Sequence, residues 1–336
     1  MHPSFRVSGV TGAFTGPGGL ALSCVVVDED GREDGKAVIA LDDRNGVLQV
    51  PPVDTEIEVE MGYEETGLES MGQFRVEKVI LSGWPRSMVV HGKAISWVGK
   101  MKQQRTQEYH NKDLEYIAQD QAAFAGLRGA VVDPDLAAYE YEYLAQTAES
   151  PANFMTRLSP DHDAVAKVLN DQLYYFKKGQ SLAQGSGGTT EVTSGTAEFP
   201  INVKWYEATI QKARPAYNQS QAGYGDIKKG EREEVLAPGS STVSDAIYMQ
   251  GKYFHDGQKL AEESAKSAGN TLIRRLGDLD ILIIGDPGIM SESRLQVINV
   301  RDEVDGEWLI TKVQHTMDNS GYETLIHAEL TAGGTV

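Results

Sequence analysis

Seven histidines, at positions 2, 91, 110, 162, 255, 315 and 327, are the residues of this chain best suited to acid–base or metal chemistry. No two of them form an H-E-x-x-H or a Cys/His cluster, so the spacing argues against a zinc site. His162 stands between Asp161 and Asp163, a base with an orienting carboxylate in name only. Consecutive residues seldom face one pocket, and Pro160 just upstream predicts a surface turn there. His315 falls in a strand and reads as part of a sheet. The acidic turn Asp28-Glu29-Asp30-Gly31 lacks calcium-loop spacing, with Ile39 where the closing glutamate would stand. Gly185-Ser186-Gly187-Gly188-Thr189-Thr190 lacks the Lys-Ser or Lys-Thr that completes a phosphate loop. There is no G-x-S-x-G elbow. Asp278 and Asp280 do not stand out as a glycosidase pair among 49 carboxylates. The one ordered acidic pattern is Glu56, Glu58 and Glu60, which alternate with Ile57, Val59 and Met61: one buried face, one row of carboxylates. The expected catalytic, cofactor and metal residues are none.

The elements that position that row lie between Lys36 and Ile95. Short β-type runs end there in Gly, Asn-Gly or Asp-Gly, chemistry that turns a chain sharply. At 336 residues, 40% of them hydrophobic and 24% charged, the chain has room for two or three folded domains. A net charge of −18 argues against a grip on nucleic acid, which needs clustered Lys and Arg. The single Cys24, beside Val25-Val26-Val27, permits no internal disulfide and fits a buried thiol. No leader and no apolar run of the ~20 residues that span a bilayer is visible, so the expectation is a soluble protein made in the cytoplasm.

In chain order, Leu20 to Val27 is a strand between turns, and Val76 to Leu81 with Arg86 to Ile95 forms a hairpin around Gly83-Trp84-Pro85. The basic tract from Gly99 to Asn111 reads as a solvated connector, or as a dock for an acidic neighbour. Asp113 to Gly126 is a helix, and Ser150-Pro151 opens a second one that Ser159-Pro160 should end. Val165 to Leu169 and Leu173 to Phe176 form a hairpin. Gln180 to Gly195 is a Gly-rich linker. Asn202 to Ile210 alternates, Ala213 to Glu234 reads as polar and flexible, and Phe254 to Leu276 is an amphipathic helix. Leu279 to Ile284 is a buried strand. Arg294 to Val300, Glu307 to Met317 and Tyr322 to Leu330 should make a second sheet.

Three groups of residues together resemble the phage late-control D family, the central baseplate hub of contractile tails, related in fold to the hub part of type VI secretion spike (VgrG) proteins. The first is Leu41-Asp42-Asp43-Arg44-Asn45-Gly46, Met61-Gly62-Tyr63-Glu64 and Met71-Gly72-Gln73-Phe74-Arg75-Val76. The second is Gln146-Thr147-Ala148-Glu149-Ser150 with Phe154-Met155-Thr156-Arg157-Leu158 and Asp163-Ala164-Val165-Ala166. The third runs from Gly306-Glu307-Trp308-Leu309-Ile310 through His315-Thr316 to Ser320-Gly321-Tyr322-Glu323-Thr324. The resemblance spans about Val38 to Leu330. Pro160 departs from it by interrupting what is often a continuous helix, and residues 1–35 carry little that matches.

The resemblance implies an α+β, mainly β fold: two tube-like antiparallel β-barrel domains flanking an α+β insert domain. Residues 1–100 would be the first barrel, 101–180 the insert, 181–195 the linker, and 196–336 the second barrel with a helix near 254–276. It implies a homotrimer whose six barrels match the hexameric tail tube to a separate trimeric spike protein. Tail tube, baseplate wedge proteins and the tape measure protein are then the neighbours, in the virion, with no cofactor, no specific nucleic-acid binding and no membrane insertion. Glu56, Glu58 and Glu60 would face the lumen and let DNA slide. The alternatives are a tail-associated cell-wall hydrolase using a carboxylate pair, and a carbohydrate-binding module. The latter fits poorly with Trp84, Trp97, Trp205 and Trp308, which are dispersed and read as mostly strand-embedded.

Overall fold

The computed structural model describes residues 1–9, 14–16, 20–29, 35–95, 99–169, 171–179, 194–210, 217, 219–226, 231–239, 247–249, 255 and 257–331. Strands β1 (Pro3–Ser8), β2 (Phe14–Gly16), β3 (Ala21–Glu29), β4 (Lys36–Asp42), β5 (Glu56–Tyr63), β6 (Gly67–Ser82) and β7 (Ser87–Ala94) come first. A 3-10 turn (Gly99–Lys102) leads into β8 (Arg105–Asp113), α1 (Leu114–Ala125), β9 (Gly129–Val132), α2 (Pro134–Ala137) and β10 (Glu140–Glu149). Next are α3 (Pro151–His162), β11 (Ala164–Leu169), β12 (Gln172–Lys177), β13 (Ser194–Glu198) and β14 (Val203–Thr209). The chain continues with β15 (Gln219–Asp226), β16 (Glu231–Pro238), β17 (Ile247–Met249) and α4 (Gln258–Arg274). It closes with β18 (Asp278–Ile284), β19 (Arg294–Ile298), β20 (Gly306–Asp318) and β21 (Gly321–Leu330). Most of the Gly-rich linker lies outside the described residues, and its last two positions, Ser194 and Gly195, open β13. Contacts group the described parts of 1–95, 181–208 and 279–328 into one unit, and those of 96–180, 209–278 and 329–336 into another. The sequence expectation followed chain order; residues 196–336 are in fact shared between the units.

The first unit carries one 13-stranded sheet, ordered β14-β18-β21-β20-β3-β4-β7-β6-β5-β1-β2, with β19 on β20 and β13 on β19. Period-2 alternation builds it: Phe5, Val7, Cys24, Val26, Ile39 and Leu41 all point to one face and are buried. The register sets Cys24 opposite Ile39 and Met317, and Met61 opposite Phe5. The C-terminal strands do not form the separate second sheet expected of them. β20 pairs with β3, so they continue the first sheet, and among the described residues no closed barrel is formed. A local pattern cannot reveal which distant strand supplies an edge. Two further contacts close this seam: Tyr63 Oη donates to Gly285 O at 2.7 Å, and Ser291 N and Oγ donate to Asp28 Oδ2 at 2.9 and 2.7 Å.

Among the described residues the second unit holds three small sheets, β10-β8, β11-β12-β9 and β16-β15-β17, and its main core includes Leu114, Ile117, Phe154, Met155, Leu158 and Tyr175. Asp113 caps α1 by accepting from Tyr116 N at 2.7 Å, and Gly126 ends it at φ 80°. Ser150 caps α3 by accepting from Asn153 N at 3.3 Å, with Pro151 in the first turn. Three expectations are corrected here. The tract at 99–111 is not a connector: Arg105 to Asp113 is a strand paired with β10, and Arg105 is ion-paired to Asp120 and stacked on Phe124. Pro160 does not end α3, which runs on to His162 and closes at Asp163 with φ 51°. Proline costs a helix one backbone bond, and here side-chain bonds from the last turn to α4 hold the helix together. The stretch expected to be flexible holds β15 and β16, paired antiparallel from Gln219↔Pro238 to Asp226↔Glu231.

Helix α4 packs small residues, Ala261, Ala265, Ala268 and Gly269, on one buried side. Ser220 Oγ reaches Ala265 O at 2.5 Å, and a Cβ at Gly269 would stand 2.3 Å from Pro238 O. Backbone cannot give way as a flexible side chain can. Gly269→Ala is therefore expected to destabilise the second unit by ~1–3 kcal/mol, the range for overpacking, read as a lower urea midpoint. An unchanged midpoint would contradict this packing.

Candidate functional site

Glu56, Glu58 and Glu60 stand on the face of β5 away from the apolar core, because Ile57, Val59 and Met61 between them are buried. The neighbouring strands decide their electrostatics. Register places Arg75 opposite Glu56, and its Nη2 donates to Glu56 Oε1 at 2.9 Å. Arg6 stands opposite Glu60 and donates to Oε2 at 3.2 Å. Glu58, in the middle, accepts, among the described residues, only a neutral hydroxyl hydrogen bond, from Ser70 Oγ at 3.2 Å. The row is thus three carboxylates braced by two guanidiniums, still net negative, with its unpaired charge at Glu58. Exposed pairs of this kind contribute about 0–1 kcal/mol each, so they order the face more than they stabilise it.

The Asp161-His162-Asp163 tripeptide is no surface turn. His162 is 4% exposed, in the last turn of α3. Its Nε2 meets Tyr141 Oη at 2.5 Å and its Nδ1 meets Glu263 Oε2 at 3.0 Å, with the rings of Tyr139 and Tyr175 edge-on around it. Asp161 accepts from Ser264 Oγ at 2.9 Å, while Asp163 accepts from Asn270 Nδ2 at 2.9 Å and from Arg274. Three consecutive side chains therefore each grip α4. The tripeptide is a clasp between helices, and its pairing with α4 could not be read from local sequence.

His315 lies on the same buried face of β20 as Val313 and Met317. Tyr322 Oη and Thr324 Oγ1 lie 2.9 and 3.2 Å from Nδ1, and Nε2 lies 3.0 Å from Ile289 O. The arrangement suits a neutral ring that donates from Nε2 and accepts at Nδ1. His327 pairs with Asp280 at 2.5 Å, at a half-exposed position between strands. Asp280 is thereby engaged as a cross-strand partner. Among the described residues no group of three or more His, Cys, Asp and Glu side chains is placed to hold a metal ion. Trp308 is buried and donates to Val304 O at 2.8 Å, and Trp97 lies outside the described residues. Trp84 is not strand-embedded: it sits 81% exposed at the β6–β7 turn, beneath Arg86. A buried polar network that the sequence did not announce links Arg105, Tyr109, Asp120, Gln121 and Gln146 beneath α1. Only the lone buried Tyr109 in a polar strand hinted at it.

Burial pushes the His315 imidazole down to about 4, against smaller opposing effects of the Ile289 hydrogen bond and the charges of Asp28 and Asp286. The folded value lies below the unfolded 6.5, so the unfolded chain binds the extra proton between those pH values. The stabilisation is complete above pH 6.5 and is lost as the pH falls towards 4. At 1.36 kcal/mol per pH unit it amounts to ~3 kcal/mol. Chemical denaturation across that window should show wild type losing this much more than His315→Gln. Parallel curves would refute it.

Comparison with known proteins adds the following. No family profile matches the chain. It is 22% identical to the probable baseplate hub protein of Escherichia phage 186, over 92% of this chain and 88% of that protein. The same identity and coverage hold for the probable baseplate hub protein of Escherichia phage P2. In fold it is similar to a 43 kDa tail protein of prophage MuSo2 from Shewanella oneidensis, with TM-score 0.69, 12% identity, and 98% and 99% of the two chains covered. It is also similar to an Escherichia coli component of the type VI secretion system, with TM-score 0.53, 10% identity, and 97% and 76% covered. The resemblance carried by the motifs extends over most of the chain: this protein is similar, over 92% of its length, to the probable baseplate hub proteins of Escherichia phages 186 and P2.

Proposed function

We propose that this chain is a structural hub of a contractile phage tail baseplate, or of a related injection machine. The observation that carries the reading is the similarity over 92% of the chain to baseplate hub proteins, which leaves little room for a separate catalytic domain in the matched region. The hub works in the virion as a homotrimeric ring that joins a hexameric tail tube to a separate trimeric spike protein. Wedge proteins and the tape measure protein are its further neighbours. Each copy brings two tube-like elements to the ring. The reading is supported by the way the sheet divides at the β3–β20 seam, into seven N-terminal strands, β1 to β7, and six C-terminal ones. A trimer then offers six such elements, the number a hexameric tube requires. No helix among the described residues is long and apolar enough to cross a membrane.

The acidic face fits a passage for DNA. Like charge keeps a polyanion from sticking, since no counterions are released on contact. Glu58 supplies charge that no arginine among the described residues neutralises, while Arg6 and Arg75 hold its neighbours in place. The combined Glu56→Lys, Glu58→Lys and Glu60→Lys variant should still assemble but slow DNA delivery by the reconstituted particle. Unchanged delivery would remove these residues from the lumen.

Light scattering on the purified protein, with and without its spike protein, tests the ring. A trimer in either sample supports the hub. A monomer indifferent to the spike overturns it. Lysis of cell-wall material by the purified chain would instead favour the hydrolase.

A further inference from the structure

We infer that copies of this chain join strand edge to strand edge, the outer edge of β14 in one copy pairing antiparallel with the distal half of β6 in the next. The inference rests on the ring proposed above and names the surfaces that close it. Among the described residues β14 is the terminal strand of the sheet, hydrogen-bonded on one side to β18. In a strand that merely ends a sheet, one face is buried; here Lys204, Trp205, Tyr206 and Glu207 are all exposed, so both faces are open. Phe199 and Ile201, just before it, are 53% and 66% exposed. An unpaired edge this apolar invites addition of a strand, and Trp and Tyr are the residues that most often anchor interfaces.

The second edge belongs to β6. That strand pairs with β5 only as far as Arg75, and Asp54 and Thr55 cover Val76. From Lys78 to Ser82 its backbone ladder, among the described residues, runs to β7 alone. Ile80 and Leu81 are exposed there, and Trp84 stands at the tip. Exposed Val47, Val50 and Val53 lie in the loop that leads to Asp54.

Charge selects the occupant and the register. Setting Glu207 of one copy opposite Lys78 of the next puts Trp205 opposite Ile80 and Tyr206 opposite Val79. That is an ion pair and an aromatic–aliphatic pair on one face, with a second apolar pair on the other. A slip of one residue brings Glu207 to Val79 or towards Glu77, losing the attraction or making it repulsive, and it moves every side chain to the other face. The two edges are different surfaces of one molecule, so the contact is head-to-tail, the kind that closes into a ring.

The test uses the full chain with Trp205→Cys and Ile80→Cys. Directly opposed residues have Cβ atoms ~4.5–5.5 Å apart, close to disulfide reach. Cys24 is a spectator, buried with its thiol pushed up to about 12. Oxidation should give a covalently closed trimer from the double variant, and covalent dimers from a mixture of the two single variants. Neither single variant should cross-link alone. As a second reading, Glu207→Lys should weaken assembly several-fold and Lys78→Glu should restore it. A trimer by light scattering with no cross-link and no charge rescue would overturn these edges while leaving the ring standing. A monomer at every concentration would overturn both.

Discussion

The antiparallel ladder between β3 and β20 is the contact on which the rest of the first unit depends. It joins Ser23 through Glu29 to Asp318 through Lys312, so it closes a loop of almost the whole chain. The entropy of closing such a loop grows only logarithmically with its length, and a seven-residue ladder with a buried face can offset it. The buried face is what makes this ladder strong: Cys24 opposes Met317 and Val26 opposes His315, all buried. Without it, β3 and β20 would each present a bare edge in the middle of an apolar layer. His315 shows how tightly the seam is built, since a buried polar ring there finds a partner for each nitrogen. Lys312 bonded to Glu29 at 2.8 Å adds an ion pair at the end of the ladder.

The second unit solves a different problem by similar means. Its helices α3 and α4 are far apart in sequence and meet through polar groups rather than a wide apolar stripe. α4 offers mostly alanine, serine and glycine, which bring little hydrophobic energy but allow close approach. Orientation then falls to directional bonds: Asp161 with Ser264, His162 with Glu263, Asp163 with Asn270 and Arg274. Directional bonds that are buried and satisfied specify one docking geometry, where an apolar contact would tolerate several. The same need for close backbone approach explains why Gly269 sits against Pro238.

Those parts whose determinants are local were legible in the sequence. Asp113 and Gly126 frame α1, Ser150-Pro151 starts α3, and the alternation of Ile57, Val59 and Met61 places Glu56, Glu58 and Glu60 on the opposite face of β5. What was not legible depends on partners remote in sequence. β8 buries only Tyr109 among polar residues, so no alternation marks it as a strand. β15 and β16 read as flexible because their inner face, which meets the small residues of α4, is built mainly of Ala222 and Ala237 around the ring of Tyr224, too sparse an apolar pattern to mark a strand. His162 was assigned to a turn on the strength of Pro160, and the grip on α4 overrode that local preference. The pairing of β3 with β20, which merges two apparent sheets into one, leaves no trace in either strand alone. The candidate acidic row was visible, but not the two arginines opposite it, because register decides which residues face which.

Charge and exposed strand edges must be reconciled in a sheet of this size. Among the described residues the thirteen strands do not close and so leave ends, and an exposed apolar end is a route to indiscriminate aggregation. A net charge of −18 keeps copies apart at long range, because like-charged molecules repel before any edge can meet. At contact distance that repulsion is screened within about 10 Å at moderate salt, and local pairing takes over. β14 carries Lys204 and Glu207 on either side of Trp205 and Tyr206, so an incoming strand meets both signs of charge around an apolar centre. Uniformly apolar edges accept any strand in any register; an edge of this composition penalises all but a complementary one. Long-range repulsion with short-range selection makes association both slow to misfire and specific, which is what the proposed ring would require of its surface.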